Sequence, residues 1–278
     1  MYDLHIHTKA SDGILSSSEV IDYAISIGLR GISITDHDTI DGLEVAQNYI
    51  QQINTYLKFV PGIELNTDYN DSEVHILGYF IDYLNQPMLT RLMELRQSRY
   101  ERAKKMIEKL HNMGLVINLD TVKKLAAGDL IGRPHIAQAL MDKGYVFSIK
   151  EAFDKYISKG RPAYVPRYKF LPDEAIRIIH GAGGIAVLAH PGLIKNTNVV
   201  NEIITMGIEG IEVYYPEHHP LQIDYYLKLC KNKKLLVTGG SDFHGSSSGD
   251  SRSRLGCAGI NEELFTKLIN CHKERKCW

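Results

Sequence analysis

The sequence predicts an α/β barrel of parallel strands that is interrupted by a helical insertion. First, short apolar runs repeatedly end in residues that bind metals, as at Ile32–Thr35 before His37 and at Ile185–Ala189 before His190. Second, strands alternate with helices on both sides of a long stretch, residues 86–165, that has only helical periodicity. The carboxyl ends of parallel barrel strands meet at one site, so the metal-binding residues are expected to converge there.

The first block, residues 1–85, is expected to hold four strands. In the opening strand His5 and His7 lie two residues apart, so both imidazoles point to one face. Ser16 and Glu19 fit a capping box at the start of the first helix. The later elements predicted in this block are helices at 19–29 and 42–57 and strands at 31–35, 58–65 and 73–80.

The middle block is expected to be a small helical domain. Residues 88–113 repeat apolar side chains at spacings of three and four, which is typical of one amphipathic helix. Asp120 can cap a second helix and Pro134 suits the first turn of a third. Ser148 and Glu151 fit a capping box for a fourth helix.

This middle block is also basic. Residues 86–165 carry 15 Lys and Arg against 8 Asp and Glu, whereas the rest of the chain carries 17 against 25. A basic insertion that covers an acidic metal-binding barrel would attract an anionic substrate such as a phosphate ester. Solvated lysines on an ordinary helical surface are an equally good interpretation for any single residue.

The last block, residues 166–278, is expected to complete the barrel with three more strands. Residues 246–249 are expected to form a flexible loop beside the site, and His218 and His219 to lie in a surface loop. The predicted elements are helices at 172–180, 201–206, 221–231 and 262–273 and strands at 184–189, 210–214 and 234–239.

The residues at the strand ends indicate a metal site, because neutral imidazole and carboxylate are usual ligands of Zn, Mn and Fe. His5 and His7 alone could belong to a polar edge strand, but the recurrence of the pattern disfavours that alternative. The candidate ligands are His5, His7, Asp12, His37, Glu64, His75, His190, Asp242 and His244. Asp36 and Asp38, which flank His37, are expected to orient imidazoles by accepting their second N–H.

The sequence lacks the motifs and segments that are typical of several other classes of protein. No P-loop, G-x-G-x-x-G motif or Ser-His-Asp elbow is present, so triphosphate cradling and covalent acyl chemistry are not supported. No apolar run of transmembrane length and no signal peptide appear, which favours a cytoplasmic protein with no membrane partner. The four cysteines lack C-x-x-C spacing and are expected to be reduced, with a Cys271–Cys277 bridge as the alternative.

The motifs resemble those of the PHP (polymerase and histidinol phosphatase) family. The matching segments are His5-x-His7, Thr35-Asp36-His37-Asp38, Glu64, His75, Ala189-His190-Pro191 and Ser241-Asp242-Phe243-His244. The resemblance implies a distorted seven-stranded, TIM-like barrel with two to three divalent ions, for which Mn is favoured and Zn or Fe are alternatives. It implies a first metal on His5, His7, Glu64 and Asp242, a second on Glu64, His75 and His190, and a third on Asp12, His37 and His244.

Asp12 indicates which branch of the family the chain resembles, because histidinol phosphatases tend to have histidine there. The resemblance implies hydrolysis of the 3′-phosphate of nucleoside 3′,5′-bisphosphates such as pAp, together with 5′-to-3′ trimming of short RNA or DNA. Two cations that share Glu64 can hold a bridging hydroxide for attack on phosphorus. A small-metabolite phosphatase of the histidinol-phosphate type, a C–N hydrolase and a non-catalytic scaffold remain alternatives. Catalytic roles are expected for Glu64, His190, Asp242 and His244.

Contacts to the substrate phosphate are expected from the insertion and its return to the barrel. Gly132-Arg133-Pro134-His135 places an arginine at the start of a helix, where a guanidinium and free N–H groups both favour phosphate. Lys159 to Val165 form a second basic turn. The candidate phosphate-binding residues are Arg133, His135, Lys159, Arg161 and Tyr164, with Arg167 as a further candidate.

Overall fold

Seven strands form one sheet in chain order in the computed structural model. The structure describes residues 1–126, 131–166, 168–245 and 254–275. The strands are β1 (Tyr2–Ile6), β2 (Gly31–Ile34), β3 (Lys58–Tyr69), β4 (Ser72–Tyr79), β5 (Ile185–Leu188), β6 (Gly210–Tyr214) and β7 (Leu236–Gly239). Strands β1 to β3 pair in parallel, and so do β5 to β7.

Strand β4 runs antiparallel to both of its neighbours, β3 and β5. The expectation of parallel strands throughout is therefore wrong at this strand. The cause is a two-residue turn, in which Tyr69 pairs with Ser72 while Asn70 and Asp71 have φ angles of 46° and 60°. Asparagine and aspartate tolerate this left-handed conformation, and a two-residue turn joins antiparallel strands only.

The sheet nearly closes into a barrel where β1 meets the segment after β7. The backbone N–H of His7 donates to the carbonyl of Phe243 over 2.8 Å. Gly240 permits this approach, because a Cβ at that position would run into the backbone of His5. The predicted seven-stranded α/β barrel is confirmed, and its closure places the residues after β7 beside the first histidine motif.

Ten helices accompany the strands within the described ranges. They are α1 (Ser17–Ser26), α2 (Asp41–Ile53), α3 (Gln86–Asn112), α4 (Leu119–Leu125), α5 (Arg133–Asp142), α6 (Ile149–Ala152), α7 (Pro172–Gly181), α8 (Thr197–Thr205), α9 (Pro220–Lys233) and α10 (Glu262–Arg275). A π-helical turn (Phe153–Ile157) extends α6, and a 3₁₀ turn (Pro191–Leu193) follows β5.

The caps of these helices confirm some predictions and correct others. The capping box of Ser16 and Glu19 is present in full at α1. Helix α4 is capped by Asn118, whose side chain accepts the N–H of Asp120, so Asp120 is not the cap. Helix α8 begins four residues before the predicted start at 201, because the side chain of Asn196 caps it.

The chain forms two compact units, and each has a hydrophobic core. Residues 1–89 and 169–278 form the barrel unit, and residues 90–168 form the helical unit. Fully buried Tyr2, Leu4 and Tyr79 belong to the core of the barrel unit. Buried Leu110 and Leu140 belong to the core of the helical unit. The position of the helical unit over the site stays a prediction.

Two remaining sequence features concern the cysteines and the helices. Cys230 is a free thiol, and the alternative Cys271–Cys277 bridge involves Cys277, which lies outside the described residues. In the part of the chain that the structure describes, no helix combines the length and apolar character needed to cross a membrane.

Candidate metal centre

All nine candidate ligands come together in the barrel unit. Eight of them form three groups that share members. Within each group, one nitrogen or oxygen atom from each residue lies within 4.8 Å of the corresponding atoms of the others. The ninth, His190, has its Nε2 atom 3.0 Å from Glu64 Oε1. The groups are His5, His7, Glu64 and Asp242; His37, Glu64 and His75; and His7, Asp12, His37 and His244.

Glu64 is the common member of the cluster. It lies on β3, its side chain is buried, and five imidazole nitrogens approach its carboxylate within 3.2 Å. Two of these nitrogens are near Oε1, namely His75 Nδ1 at 2.8 Å and His190 Nε2 at 3.0 Å. Three are near Oε2, namely His37 Nδ1 at 2.9 Å and the Nε2 atoms of His5 and His7 at 3.2 Å each.

The first group has the dimensions of a metal coordination shell. The Nε2 atoms of His5 and His7 lie 3.1 Å apart, and Asp242 Oδ1 lies 3.4 Å from the first and 3.0 Å from the second. Ligand atoms about 2.0–2.2 Å from one ion are separated by about 3.0 Å in octahedral and about 3.5 Å in tetrahedral geometry. These four residues therefore fit a single divalent cation.

Unsatisfied polar atoms also indicate a cation. Glu64 Oε2 is buried and accepts no hydrogen bond, although three imidazole nitrogens surround it, and His7 Nδ1 and His37 Nδ1 also have no hydrogen-bond partner. Burying such atoms without partners is costly. A bound cation would supply the missing interaction, so the donor set fits the metal ions that the sequence predicted.

The third group is the most open of the three. Asp12 Oδ1 lies 3.3 Å from His244 Nε2, and Asp12 Oδ2 lies 3.9 Å from His37 Nε2. The Asp12 side chain is 32% exposed, whereas that of Glu64 is 1% exposed. The structure adds His7 to this group, and it places His37 near Glu64 as well, so these groups overlap more than the division among three metals that the resemblance implies.

Strained backbone at the strand ends helps to place the ligands. His190 follows β5 and Asp242 follows β7, and their φ angles are 25° and 51°. Asp38, after β2, has a φ of 49°. Left-handed conformations cost energy in residues other than glycine, and they concentrate at functional sites where surrounding contacts hold them. The backbone therefore turns sharply just after these strands, at or beside the candidate ligands.

The charges of the cluster shift the pKa values of its members. Burial opposes ionisation of the Glu64 carboxyl, but the imidazoles around it, His37 first, hold its pKa well below the usual range. Burial disfavours a charged imidazole at His75, yet the charge of Glu64 raises its pKa to about 10. Burial acts likewise on His244, where Asp12 raises the pKa to about 9. Without bound metal, these two imidazoles hold protons at neutral pH.

Asp36 does not have the role that the sequence suggested. Its carboxylate accepts hydrogen bonds from the N–H and hydroxyl of Thr8, both at 2.7 Å, and from the hydroxyl of Ser11 at 2.6 Å. It therefore holds the turn that carries Asp12, and the prediction that it orients an imidazole is wrong. Asp38 accepts from the backbone and side-chain amides of Asn66.

The sequence analysis missed two buried residues near the ligands. Glu212, on β6, lies 2.9 Å from His5 Nδ1, and the hydroxyl of Tyr215 donates to Asp242 Oδ2 over 3.0 Å. Glu212 lies within a strand, whereas most of the metal-binding residues in the sequence pattern follow strands. A single carboxylate in the apolar run Gly210–Tyr214 was the available signal, since a buried charge requires a partner.

The surface-loop prediction is wrong for His218. This residue is buried, its Nδ1 lies 2.9 Å from the carbonyl of Val213, and its Nε2 accepts the N–H of Gly192 over 3.1 Å. His219 is exposed and caps α9. The difference arises because the chain turns back after Tyr215, whose carbonyl accepts the N–H of His218.

The candidate phosphate-binding residues all lie in the helical unit, and their role in binding stays a prediction. Arg133 begins α5, and its guanidinium lies 5.5 Å from the ring of Phe153. The ring of His135 accepts the N–H of Gly132 over 3.1 Å. Lys159 and Arg161 are exposed, and Tyr164 is half-buried with its ring 5.9 Å from the guanidinium of Arg102. Arg167 and residues 246–249 lie outside the described residues.

Comparisons with known proteins give a family match and similar relatives. Residues 3–163 match the model of the PHP domain. The chain is 32% identical to the 3′,5′-nucleoside bisphosphate phosphatase of Chromobacterium violaceum, over 89% of this chain and 88% of the relative. It is 31% identical to the 5′-3′ exoribonuclease Rnm of Escherichia coli strain K12, over 88% and 85% respectively.

A solved structure extends the similarity to the fold. A crystal structure of a Bifidobacterium adolescentis protein, assigned as a metal-dependent phosphoesterase, is 30% identical in sequence. It superposes with a TM-score of 0.85 and covers 98% of this chain and 96% of its own.

Metal binding by the cluster is expected to tighten as the pH rises. A protonated imidazole has no lone pair for a metal, and the raised pKa values of His75 and His244 mean that protons must leave when an ion binds. Chelator competition should show the apparent affinity for Mn²⁺ rising about tenfold per pH unit for each displaced proton, between about pH 6 and pH 8. His219→Ala removes an exposed imidazole outside the cluster and should leave the slope unchanged. An affinity independent of pH would contradict the raised pKa values.

Proposed function

The chain belongs to the PHP domain family and is a metal-dependent phosphoesterase, and we propose that it hydrolyses the 3′-phosphate of nucleoside 3′,5′-bisphosphates. We propose that it also trims short 5′-phosphorylated oligonucleotides from the 5′ end. The observation that carries the proposal is the ligand cluster around Glu64, which suits attack by water on a phosphate ester. The substrate class is supported by the relatives that act on a nucleoside bisphosphate and on RNA.

A single bond cleavage accounts for both proposed activities. In a nucleoside 3′,5′-bisphosphate and in a 5′-phosphorylated oligonucleotide, the first nucleotide has a 5′-phosphate and a phosphate ester on its 3′ oxygen. Water attacks the phosphorus of that ester, the bond between phosphorus and the 3′ oxygen breaks, and the 3′ oxygen takes a proton. The released product is a 5′-mononucleotide in both cases, so one site can serve both substrates.

The metal ions would be held by the nine candidate ligands in two to three positions. Bound divalent cations lower the pKa of a coordinated water and neutralise charge on the phosphoryl oxygens. Glu64 would be shared between positions, because both of its oxygens face imidazole nitrogens. We propose Mn as the favoured ion, because Asp12 adds a hard oxygen ligand to the most open group.

The other residues of the centre prepare the ligands for this task. Asp36 holds the turn that carries Asp12 through three short hydrogen bonds. His244 lies at the open side of the cluster, with its side chain 21% exposed, where it would hold a metal ion together with Asp12. His190 and Asp242 complete the surroundings of Glu64 and of the first histidine pair.

The substrate class is tested by a panel assayed with added Mn²⁺. The enzyme should convert pAp to AMP and shorten a 5′-phosphorylated oligonucleotide, with kcat/KM at least about tenfold above those for AMP and histidinol phosphate. Glu64→Gln should reduce both activities below about a tenth while the circular dichroism spectrum stays that of the wild type. Glu209→Gln, the same change outside the cluster, should remain active. A preference for histidinol phosphate would overturn the proposed substrate class.

The helical unit is expected to select the substrate without taking part in the chemistry. Arg133→Ala should raise KM for pAp about tenfold or more, while KM for 3′-AMP changes by less than about twofold, because only pAp offers a second phosphate. Arg177→Ala removes an exposed arginine of the barrel unit, which pairs with Asp173 over 2.7 Å, and should change neither KM. Equal effects of Arg133→Ala on the two substrates would indicate that Arg133 contacts the reacting phosphate.

A further inference from the structure

Strand β6 supplies no candidate ligand, yet one residue within it and one directly after it contact ligands from other segments. These residues are Glu212 and Tyr215. On a regular strand, side chains three residues apart point to opposite faces. The pairing register of β6 with β7 shifts between Glu212 and Tyr214, and such an irregularity re-aims the side chains that follow it. Both residues can therefore reach the metal centre.

Glu212 fixes the orientation of His5. It is fully buried, and its Oε1 lies 2.9 Å from His5 Nδ1. Because an ionised carboxylate can only accept, the proton of His5 is assigned to Nδ1. The lone pair of His5 Nε2 then faces the neighbouring ligand atoms, 3.1 Å from His7 Nε2 and 3.2 Å from Glu64 Oε2. A metal ion requires this tautomer.

The same carboxylate holds the turn that carries His190. Glu212 Oε2 accepts the backbone N–H of His190 over 2.8 Å. His190 has a strained φ of 25°, and a hydrogen bond from its own backbone to a buried carboxylate offsets part of that cost. The imidazole of His190 is thereby kept 3.0 Å from Glu64 Oε1.

Tyr215 acts in a comparable way on Asp242. Its hydroxyl donates to Asp242 Oδ2 over 3.0 Å. The other oxygen, Oδ1, remains directed at the first histidine pair, 3.4 Å from His5 Nε2 and 3.0 Å from His7 Nε2. The hydrogen bond therefore selects which carboxylate oxygen is available to a metal.

We propose that β6 is the positioning strand of the metal centre: Glu212 fixes His5 and His190, and Tyr215 fixes Asp242, in the geometry that binds the cation. These two residues hold the ligands of three other segments before metal arrives, so they raise metal affinity without touching the ion. The inference rests on the ligand set used in the proposed function. Its test measures metal binding and uses no substrate, so the two can fail separately.

Glu209 provides a matched control directly beside the same strand. It immediately precedes β6, and its carboxylate also binds one imidazole and one backbone N–H of β5. Glu209 Oε1 lies 3.0 Å from His180 Nε2, and Glu209 Oε2 accepts the N–H of Ala186 over 2.8 Å. Neither of these two contacts involves a candidate ligand. Glu209→Gln therefore makes the same chemical change as Glu212→Gln away from the metal centre.

The experiment compares Zn²⁺ affinity and thermal unfolding of the full-length wild type, Glu212→Gln and Glu209→Gln after removal of metal with a chelator. A glutamine cannot accept from both partners of Glu212 as the carboxylate does, so Glu212→Gln should weaken the tightest Zn²⁺ binding about 10–100-fold. Glu209→Gln should bind Zn²⁺ within about twofold of the wild type, even if it lowers the unfolding temperature as much. Wild-type affinity in Glu212→Gln, or equal losses in both variants, would overturn the proposal.

Tyr215→Phe tests the proposed positioning role if Glu212→Gln does not fold. This variant removes one hydroxyl and keeps the ring, so the barrel should remain intact. We expect its Zn²⁺ affinity to fall several-fold while its metal-free unfolding temperature changes little. Unchanged Zn²⁺ affinity in Tyr215→Phe would overturn the proposal. Loss of affinity in these variants, together with a wild type that cleaves no nucleoside bisphosphate, would support the positioning strand and contradict the proposed substrate.

Discussion

The structure depends on one buried anion, the carboxylate of Glu64. A buried carboxylate needs compensating partners, and the barrel supplies five imidazole nitrogens within 3.2 Å of its two oxygens. Those nitrogens do not satisfy it as a set of hydrogen-bond donors, because Oε2 accepts none. The arrangement is costly for a protein alone and suited to divalent cations, which explains why so many ligand-type residues are held in one place.

The barrel meets this requirement by bringing short segments from distant parts of the chain together. The two-residue turn at Asn70 and Asp71 makes β4 antiparallel, and the hairpin brings His75 Nδ1 within 2.8 Å of Glu64. Gly240 allows the end of β7 to pack against β1, which places Asp242 beside His5. His190 and Asp242, which follow β5 and β7, have positive φ angles. The strain of this conformation is compatible with a rigid centre whose ligands are fixed in advance.

Much of the fold and of the candidate site could be predicted from the sequence. Apolar runs indicate where the strands lie, and the His, Asp or Glu residues that end them indicate the end of the barrel where the site forms. The direction of β4 was missed, although Asn70 and Asp71 carried the turn signal. Glu212 was missed because a residue inside a strand reveals its face only when the register is known. The role of Asp36 depended on Thr8 and Ser11, which lie far away in sequence and leave no local pattern.

Anomalous X-ray diffraction from crystals soaked in Mn²⁺ tests the central claim most directly, because it locates the ions without reference to activity. The account predicts an anomalous peak about 2.0–2.3 Å from Glu64 Oε2 and from the Nε2 atoms of His5 and His7. A second peak should lie near Glu64 Oε1, on the side of His75 and His190. Mn²⁺ bound elsewhere, with no peak within coordination distance of Glu64 in a fully soaked crystal, would contradict the claim that this carboxylate organises the metal centre.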